Sequence, residues 1–142
     1  MDLDLLKRAM EQYIPFNRFL GLRVEEIRPG FVRLLVPFRD ELVGDPLRPA
    51  LHGGVLSALA DTAGGAAVWT NVTDDRGRVS TIDLRIDYLR PGKLEPIIAE
   101  ANVVRVGNRV GVADVRVFHA SDPSVTIATG KGVYNIVTVK DS

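Results

Sequence analysis

The stretch "ALHGGVLSALADTAGGAAVW", residues 50–69, contains residue types that could do chemistry together. The stretch is apolar and free of proline, which predicts a buried helix, yet the acid Asp61 lies in its middle and Gly53 and Gly54 lie at its start. A carboxylate in a buried helix is costly unless it is paired or hydrogen-bonded, so Asp61 is a candidate functional group. The free N–H groups of a first helical turn suit a polarised carbonyl or a developing oxyanion.

The same residues also have purely structural explanations. Asp61 could face a partly wet edge of the helix, with Ser57 one turn before it and Thr62 beside it. The segment His52–Gly54 could be an ordinary glycine-rich helix start. His52 could then be a structural histidine whose ring nitrogens form hydrogen bonds with neighbouring residues. The residue types alone do not separate these explanations from the functional ones.

The spacing of the two signals has a geometric consequence. Gly53 and Asp61 are eight residues apart, so along a helix they are about 12 Å apart at ~1.5 Å per residue. A reacting carbonyl must lie roughly 3 Å from both its N–H donor and its attacking group. One chain cannot bring both groups to one atom, but two antiparallel copies of the helix could. If both residues are catalytic, we expect at least a dimer with two equivalent sites.

A second pair of glycines, Gly64 and Gly65, interrupts the later part of the same helix. Glycine costs about 1 kcal/mol relative to alanine in a helix interior, so its presence there needs a packing reason. We therefore expect this part of the helix to pack closely against the backbone of the sheet or of a partner chain.

Hydrophobic periodicity predicts the elements that must position these residues. It indicates an N-terminal helix at about residues 2–14, a central helix at about 53–70, a loop before it at 39–54 and a polar turn after it at 70–78. Alternating patterns and short turns predict antiparallel strands over 20–28, 31–38, a stretch starting at 79, 97–106, 110–119 and 125–139. One long apolar helix against such a sheet is an α+β layering, with the sheet curling around the helix.

Composition bounds the class of protein. The chain has 142 residues, 46% of them hydrophobic and 25% charged, which suits one globular domain. Lysine plus arginine equals aspartate plus glutamate at 18 each, so no basic surplus favours a nucleic acid or a membrane. The N-terminal segment lacks the pattern of a signal peptide, and no apolar stretch reaches the roughly 20 residues of a membrane span. We therefore expect a cytoplasmic protein.

The sequence lacks the motifs of several other catalytic chemistries. The absence of cysteine excludes disulfides, cysteine-ligated zinc and thiol nucleophiles. Ser57 has no G-x-S-x-G elbow around it. The two histidines, His52 and His119, are too far apart in sequence to give a metal-ligand spacing. No glycine-rich phosphate-binding motif occurs.

The segments "LHGGVLSALADTAGG", "VSTIDLRIDYLRPG" and "VVRVGNRVGVADVRVFHASDPSVTIATGKGVY" resemble the hotdog-fold acyl-CoA thioesterases. The branch they resemble most is the phenylacetate-pathway (PaaI-like) type, and the resemblance runs from about residue 18 to 137. It implies a single hotdog domain over residues 1–142, a long helix wrapped by a curved antiparallel sheet. It also implies a homo-oligomer, a dimer or a tetramer made as a dimer of dimers. The implied activity is hydrolysis of acyl-CoA thioesters, with no metal and no cofactor, coenzyme A being part of the substrate.

The resemblance also implies roles for individual residues. The acidic helix residue of the family falls on Asp61, which would be the nucleophile or the general base for water. The family's glycine falls on Gly53, whose N–H would polarise the thioester carbonyl across the dimer interface. Its histidine falls on His52, which would support that loop. Its strand hydroxyl falls on Thr81, two residues before Asp83, and would orient the water or the carboxylate.

One position departs from the family. The family commonly has Asn or Gln six residues before its histidine, and here that position is Pro46. Asp45 can take the place only if the loop carries one extra residue, and a carboxylate does not donate a hydrogen bond unless protonated. Coenzyme A brings phosphates, so cationic side chains are expected near its entrance, although arginines on strands are commonly a solvated face. The candidates for contact with substrate or coenzyme A are Asp45, Gly54, Thr62, Arg90, Arg105, Arg109 and Lys131.

Two other functions are compatible with the same fold. One is a non-catalytic acyl-CoA binding or sensing protein, which the Pro46 departure motivates. The other is a dehydratase or hydratase of acyl thioesters, although those typically pair a histidine with a carboxylate in a different sequence context. The resemblance fits both an aromatic acyl group of the phenylacetyl type and a medium-chain fatty acyl group.

Overall fold

The protein, analysed as a computed structural model that describes residues 1–74 and 76–138, is a curved antiparallel sheet around one long helix. In chain order the elements are α1 (Leu3–Arg8), a π-helical turn (Ala9–Tyr13), α2 (Pro15–Leu20), β1 (Arg23–Arg28), β2 (Phe31–Val36), a 3-10 turn (Asp40–Leu42), β3 (Val43–Asp45), β4 (Ala50–Leu51), α3 (Gly53–Trp69), β5 (Arg78–Tyr88), β6 (Ile97–Val106), β7 (Val110–His119) and β8 (Asp122–Val137). The long strands are ordered β1-β2-β6-β7-β8-β5, and β3 pairs with β4 in a separate small sheet. The predicted α+β layering is confirmed.

Helix α3 forms the centre of the hydrophobic core. His52 caps it, with extended backbone angles (φ −60°, ψ 132°) and a ring nitrogen that accepts a hydrogen bond from the Gly54 N–H. A helix that is apolar nearly all round must be buried, and Leu59 and Ala63 are fully buried against the sheet. Truncation of a buried leucine such as Leu59 to alanine typically costs about 2–5 kcal/mol, so packing around α3 supplies much of the stability.

Tyr134 on β8 explains the later glycines of α3. Its side chain is 1% exposed, and its hydroxyl donates a hydrogen bond to the backbone carbonyl of Asp61 at 3.0 Å. A Cβ atom added at Gly64, or at Gly132 on β8, would lie 2.2 Å from that hydroxyl, whereas one at Gly65 would lie 3.3 Å from the tyrosine ring. The predicted close packing is confirmed, but α3 packs against a side chain of the sheet and not against its backbone.

The N-terminal segment differs from the single predicted helix. The α-helix ends at Arg8, a π-helical turn follows, and α2 begins at Pro15. Proline fits the first turn of a helix because its fixed φ is already helical. Its lack of an N–H costs nothing there, because N–H groups of the first turn have no acceptor within the helix. Gly21, with φ +69°, ends α2. This second helix moves the start of β1 from the predicted residue 20 to Arg23.

The strands after α3 follow the predicted pattern closely. Strands β6 and β7 have the predicted bounds, 97–106 and 110–119. Strand β8 starts three residues earlier than predicted, because Asp122 already pairs with His119 across the hairpin. The predicted end of this strand, Val139, lies outside the described residues, as does Asp75 in the predicted polar turn. The predicted loop 39–54 contains the β3–β4 hairpin, which no periodic pattern marks.

The glycine contacts give a first prediction. We expect Gly64→Ala to lower the free energy of unfolding by about 1–3 kcal/mol, because the added methyl overlaps the Tyr134 hydroxyl and outweighs the gain in helix propensity. Gly65→Ala is the matched control and should stay within about 1 kcal/mol of the wild type. Urea unfolding measures both, and the packing explanation is wrong if the two variants are equally stable.

Candidate active site

The carboxylate of Asp61 is held by a strand hydroxyl. Thr81 on β5 donates its O–H to Asp61 Oδ1 at 2.8 Å. The register of β5 against β8 shifts between Thr81 and Asp83, so that Thr81 is paired with Tyr134. Such a bulge redirects the side chains around it. As a result the two paired residues reach one turn of α3, Thr81 at the carboxylate of Asp61 and Tyr134 at its carbonyl.

An open groove of about 250 Å³ begins beside this carboxylate. One face of α3 forms its floor, and β5, β8 and the N-terminal helical segment contribute its walls. The lining residues are Met10, Ile14, Phe16, Asn17, Asp61, Thr62, Gly65, Ala66, Trp69, Val79, Thr81 and Tyr134. We call this space the Asp61 groove.

The N-terminus of α3 offers one free N–H group. His52 Nδ1 accepts the Gly54 N–H at 2.8 Å, and the His52 N–H in turn donates to the Leu42 carbonyl at 2.8 Å. The Gly53 N–H has no acceptor among residues 1–74 and 76–138, while the Gly53 carbonyl accepts from the Tyr88 hydroxyl at 3.1 Å. His52 thus uses the N–H of Gly54 and leaves that of Gly53 available to a ligand.

Gly53 and Asp61 do not meet within one chain. Gly53 lines a second groove of about 330 Å³, which we call the Gly53 groove. Its lining residues are Leu51, Gly53, Leu56, Tyr88, Leu89, Arg90, Pro91 and Gly92. The Gly53 N–H and the Asp61 carboxylate therefore lie at different grooves, and the two residues are about 12 Å apart along the axis of α3.

Two other candidates have local partners. Asp45 Oδ1 accepts from the Leu47 N–H at 2.9 Å and from the Arg48 N–H at 3.1 Å, so its carboxylate stabilises the β3–β4 turn. Thr62 lines the Asp61 groove, and its hydroxyl donates to the Ala58 carbonyl at 2.7 Å. Their predicted contacts with substrate stay predictions.

The four cationic candidates lie in different places. Arg90 lines the Gly53 groove, and its guanidinium donates to the Thr126 carbonyl. Arg105 and Arg109 flank the turn between β6 and β7. Lys131 lies 3.2 Å from Asp114 Oδ1 in an exposed ion pair. Of the four, Arg90 is the residue that shares a groove with Gly53, so the structure does not gather the cations into one phosphate site.

Tyr134 is the site residue that the sequence reasoning missed. Burial raises the pKa of its phenol, and the negative charge of the nearby Asp61 carboxylate raises this pKa further. The hydroxyl therefore keeps its proton and remains a donor to the Asp61 carbonyl. A signal was present in "GKGVY", where Gly132 and Tyr134 alternate onto the same face of the strand and leave room for a folded-back ring.

His119 has a structural position away from both grooves. It is 2% exposed, its Nε2 accepts from the Lys93 N–H at 2.9 Å, and its Nδ1 lies 2.9 Å from the Pro96 carbonyl. It therefore ties the β5–β6 connection to the end of β7. Within the described ranges, no three metal-ligating side chains cluster closely enough to hold a metal ion. In the same part of the chain no helix is both long and apolar enough to cross a membrane.

Solved structures define the class of fold. A protein from Shewanella oneidensis related to the thioesterase superfamily matches with a TM-score of 0.85 and 28% sequence identity over 95% of each chain. A thioesterase family protein from Silicibacter pomeroyi matches with a TM-score of 0.86 and 25% identity over 95% of this chain and 98% of its own. The fold is that of the hotdog thioesterases, as the resemblance implied.

Sequence relatives identify the family. A model of the thioesterase superfamily matches residues 49–126. The chain is 39% identical to "Putative esterase VNG_1336C" of Halobacterium salinarum over 95% of both proteins. It is 32% identical to the medium/long-chain acyl-CoA thioesterase YigI of Escherichia coli K12, over 89% of this chain and 90% of that protein. The chain belongs to the thioesterase superfamily.

The raised pKa of Tyr134 predicts a loss of stability at alkaline pH. Its folded pKa lies above its unfolded value, so its contribution is complete below about pH 10 and is lost as pH rises further. We expect the unfolding free energy of the wild type to fall by about 1.4 kcal/mol per pH unit more than that of Tyr134→Phe in this range. Tyr13→Phe, at an exposed tyrosine, is the control. Parallel curves for wild type and Tyr134→Phe in urea unfolding would contradict the prediction.

Proposed function

We propose that the protein hydrolyses acyl-CoA thioesters at the Asp61 groove, with the Gly53 N–H of a second subunit polarising the thioester carbonyl. The proposal rests on the placement of two groups of α3. The oriented carboxylate of Asp61 lies at one open groove, and the N–H of Gly53, which has no acceptor among the described residues, lies at another. Membership of the thioesterase superfamily supports thioester hydrolysis as the activity. The relative YigI, named a medium/long-chain acyl-CoA thioesterase, supports acyl-CoA as the substrate.

The proposed reaction needs only water and side chains of the protein. As a general base, Asp61 takes a proton from water, and the oxygen of that water bonds to the thioester carbon. The resulting oxyanion accepts the Gly53 N–H. The carbon–sulfur bond then breaks, and the thiolate of coenzyme A takes up the proton. As a nucleophile, Asp61 would attack the same carbon, and water would hydrolyse the resulting anhydride. In either case Thr81 acts by holding the carboxylate in one orientation through Oδ1.

The exposed edge of the sheet supports a dimer. Strand β5 is an edge of the sheet, and its large side chains are open to solvent, with Ile82 57% and Tyr88 53% exposed. An edge strand that exposes large apolar side chains is normally covered or paired. A two-fold axis at this edge would bring the Gly53 groove of each subunit towards the Asp61 groove of the other, which gives two identical sites.

The remaining expectations belong to the same proposal. Arg90 lies beside Gly53, so we assign it to a phosphate of coenzyme A. The PaaI-like branch, the dimer-of-dimers tetramer, the absence of a cofactor and the cytoplasmic location rest on the resemblance and composition described above.

Replacement of the carboxylate tests the catalytic role. We expect Asp61→Asn to lower kcat for thiol release by roughly 10²- to 10⁴-fold, because the amide cannot accept a proton. The amide oxygen can still accept the Thr81 hydroxyl, so the fold is retained. Asp83→Asn is the matched control on the neighbouring strand. Equal activity of Asp61→Asn and wild type would exclude the role, and wild-type binding without thiol release would identify a binding protein.

Removal of one backbone N–H tests the role of Gly53. We expect Gly53→Pro to lower kcat by roughly 10²-fold or more, because one donor to the oxyanion is lost. Proline is tolerated at the first helical position, and the extended His52 backbone suits a residue before proline. Gly53→Ala retains the N–H and adds a Cβ 3.3 Å from Tyr88, so it controls for the side chain.

Mixed oligomers then test whether the site is shared. A dimer of one Asp61→Asn and one Gly53→Pro subunit has one site with both defects and one site with neither. Random mixing of two inactive variants should restore about a quarter of the wild-type activity, since half of the dimers are mixed and each has one intact site. If the two residues acted within one subunit, mixing would restore nothing.

A further inference from the structure

The Asp61 groove runs along α3 and away from the carboxylate. Its five residues from α3 are spaced as one face of a helix: Asp61, Thr62, Gly65, Ala66 and Trp69. Eight residues separate Asp61 from Trp69, which is about 12 Å along the axis at ~1.5 Å per residue. The groove thus has a reactive end at Asp61 and a far end at Trp69.

The chemistry of the lining changes along this length. The polar side chains of Asp61, Thr62 and Thr81 cluster at the reactive end, and beyond them the floor is Gly65 and Ala66. Three apolar residues of the N-terminal helical segment line the groove beside this floor, namely Met10, Ile14 and Phe16. Small residues on the floor and apolar residues beside it leave a space that suits a hydrocarbon chain.

The charge of the lining decides which part of a thioester fits. None of the groove-lining residues among those described is a lysine or an arginine, so the groove offers no partner to the phosphates of coenzyme A. The buried amide nitrogen of Asn17 is already bonded to the Met10 carbonyl at 3.0 Å. The acyl portion is the part of the substrate that this surface complements.

The spacing of residues along α3 and the volume of the groove give similar sizes for the occupant. An extended chain advances about 1.2 Å per bond, since three backbone bonds of a peptide span ~3.5 Å, so 12 Å holds about ten bonds. The volume of about 250 Å³ corresponds to about eight groups of the ~30 Å³ that a water occupies in the liquid, which is close to the volume of a methylene.

We propose that the Asp61 groove is the acyl-chain site, that it takes a hydrocarbon chain of about eight to ten carbons, and that Trp69 sets this length. The assignment rests on the proposed function, because the thioester carbonyl must lie at Asp61. Trp69 is suited to limit the chain length because it is half-buried and packs against the hydrophobic core, which holds its ring in place. Longer chains must bend out of the groove at this ring.

Trp69 also provides a readout that does not depend on catalysis. It is the one tryptophan of the chain, so its fluorescence reports on the far end of the groove. In the Asp61→Asn protein we expect octanoyl-CoA and decanoyl-CoA to shift the emission in a saturable manner, and acetyl-CoA and free coenzyme A to leave it unchanged. Equal shifts with coenzyme A and octanoyl-CoA, or no shift with octanoyl-CoA, would overturn the assignment.

Substitutions at the far end and the floor test the length rule. Trp69→Ala should move the optimum of kcat/KM to longer chains, with a gain of about fourfold per additional buried methylene. Ala66→Leu should reduce activity on decanoyl-CoA at least tenfold more than it reduces activity on acetyl-CoA. Val104→Ala, at an exposed residue outside the groove, is the control. Trp69→Phe gives a milder opening if Trp69→Ala does not fold.

The outcomes separate this inference from the proposed function. If the wild type releases thiol from no acyl-CoA, the proposed function fails. If the wild type releases thiol but Trp69→Ala and Trp69→Phe keep its chain-length profile, hydrolysis stands and the acyl-chain assignment is wrong.

Discussion

The burial of α3 inside the curved sheet is the constraint on which the other features depend. A helix that is apolar on nearly every side can be stable in water only if it is surrounded. The strands β2 and β5–β8 surround α3 on most sides, and the N-terminal helices pack beside them. One consequence is that Asp61, the single acid of α3, is held beside Thr81 at the end of a largely apolar groove.

Tyr134 shows how the helix is held in register with the sheet. Its ring fills the space left by Gly64 and Gly132, and its hydroxyl is bonded to the Asp61 carbonyl. The backbone of the residue is thus tied to β8, while its side chain is tied to β5 through Thr81. Groups held by rigid elements and a supporting layer of hydrogen bonds keep a productive geometry better than groups on loops. The glycines lower the helix propensity of α3 but make this arrangement possible.

In the proposed dimer, the two grooves would divide the recognition of a thioester between its parts. The Asp61 groove is apolar beyond its reactive end, whereas the Gly53 groove contains Arg90 and a free N–H. In the proposed dimer, the hydrocarbon portion and the charged portion of the substrate would therefore be bound by different subunits. The exposed strand β5 would then serve both to close the sheet edge and to assemble the site.

The sequence by itself determined the parts of the structure that depend on local pattern. The bounds of α3, β6 and β7 follow from hydrophobic period, and the unusual acid and glycines of α3 stand out against an apolar helix. Tertiary structure decided the rest, because it depends on which distant segments pack together. Tyr134 is 73 residues from its hydrogen-bond partner Asp61, and no period in the chain relates them. The Asp61 groove likewise depends on contacts between remote segments, namely α3, β5, β8 and the N-terminal helical segment, which local propensity does not encode. The second N-terminal helix does have local signals, Pro15 at its start and Gly21 at its end, but hydrophobic period does not register them.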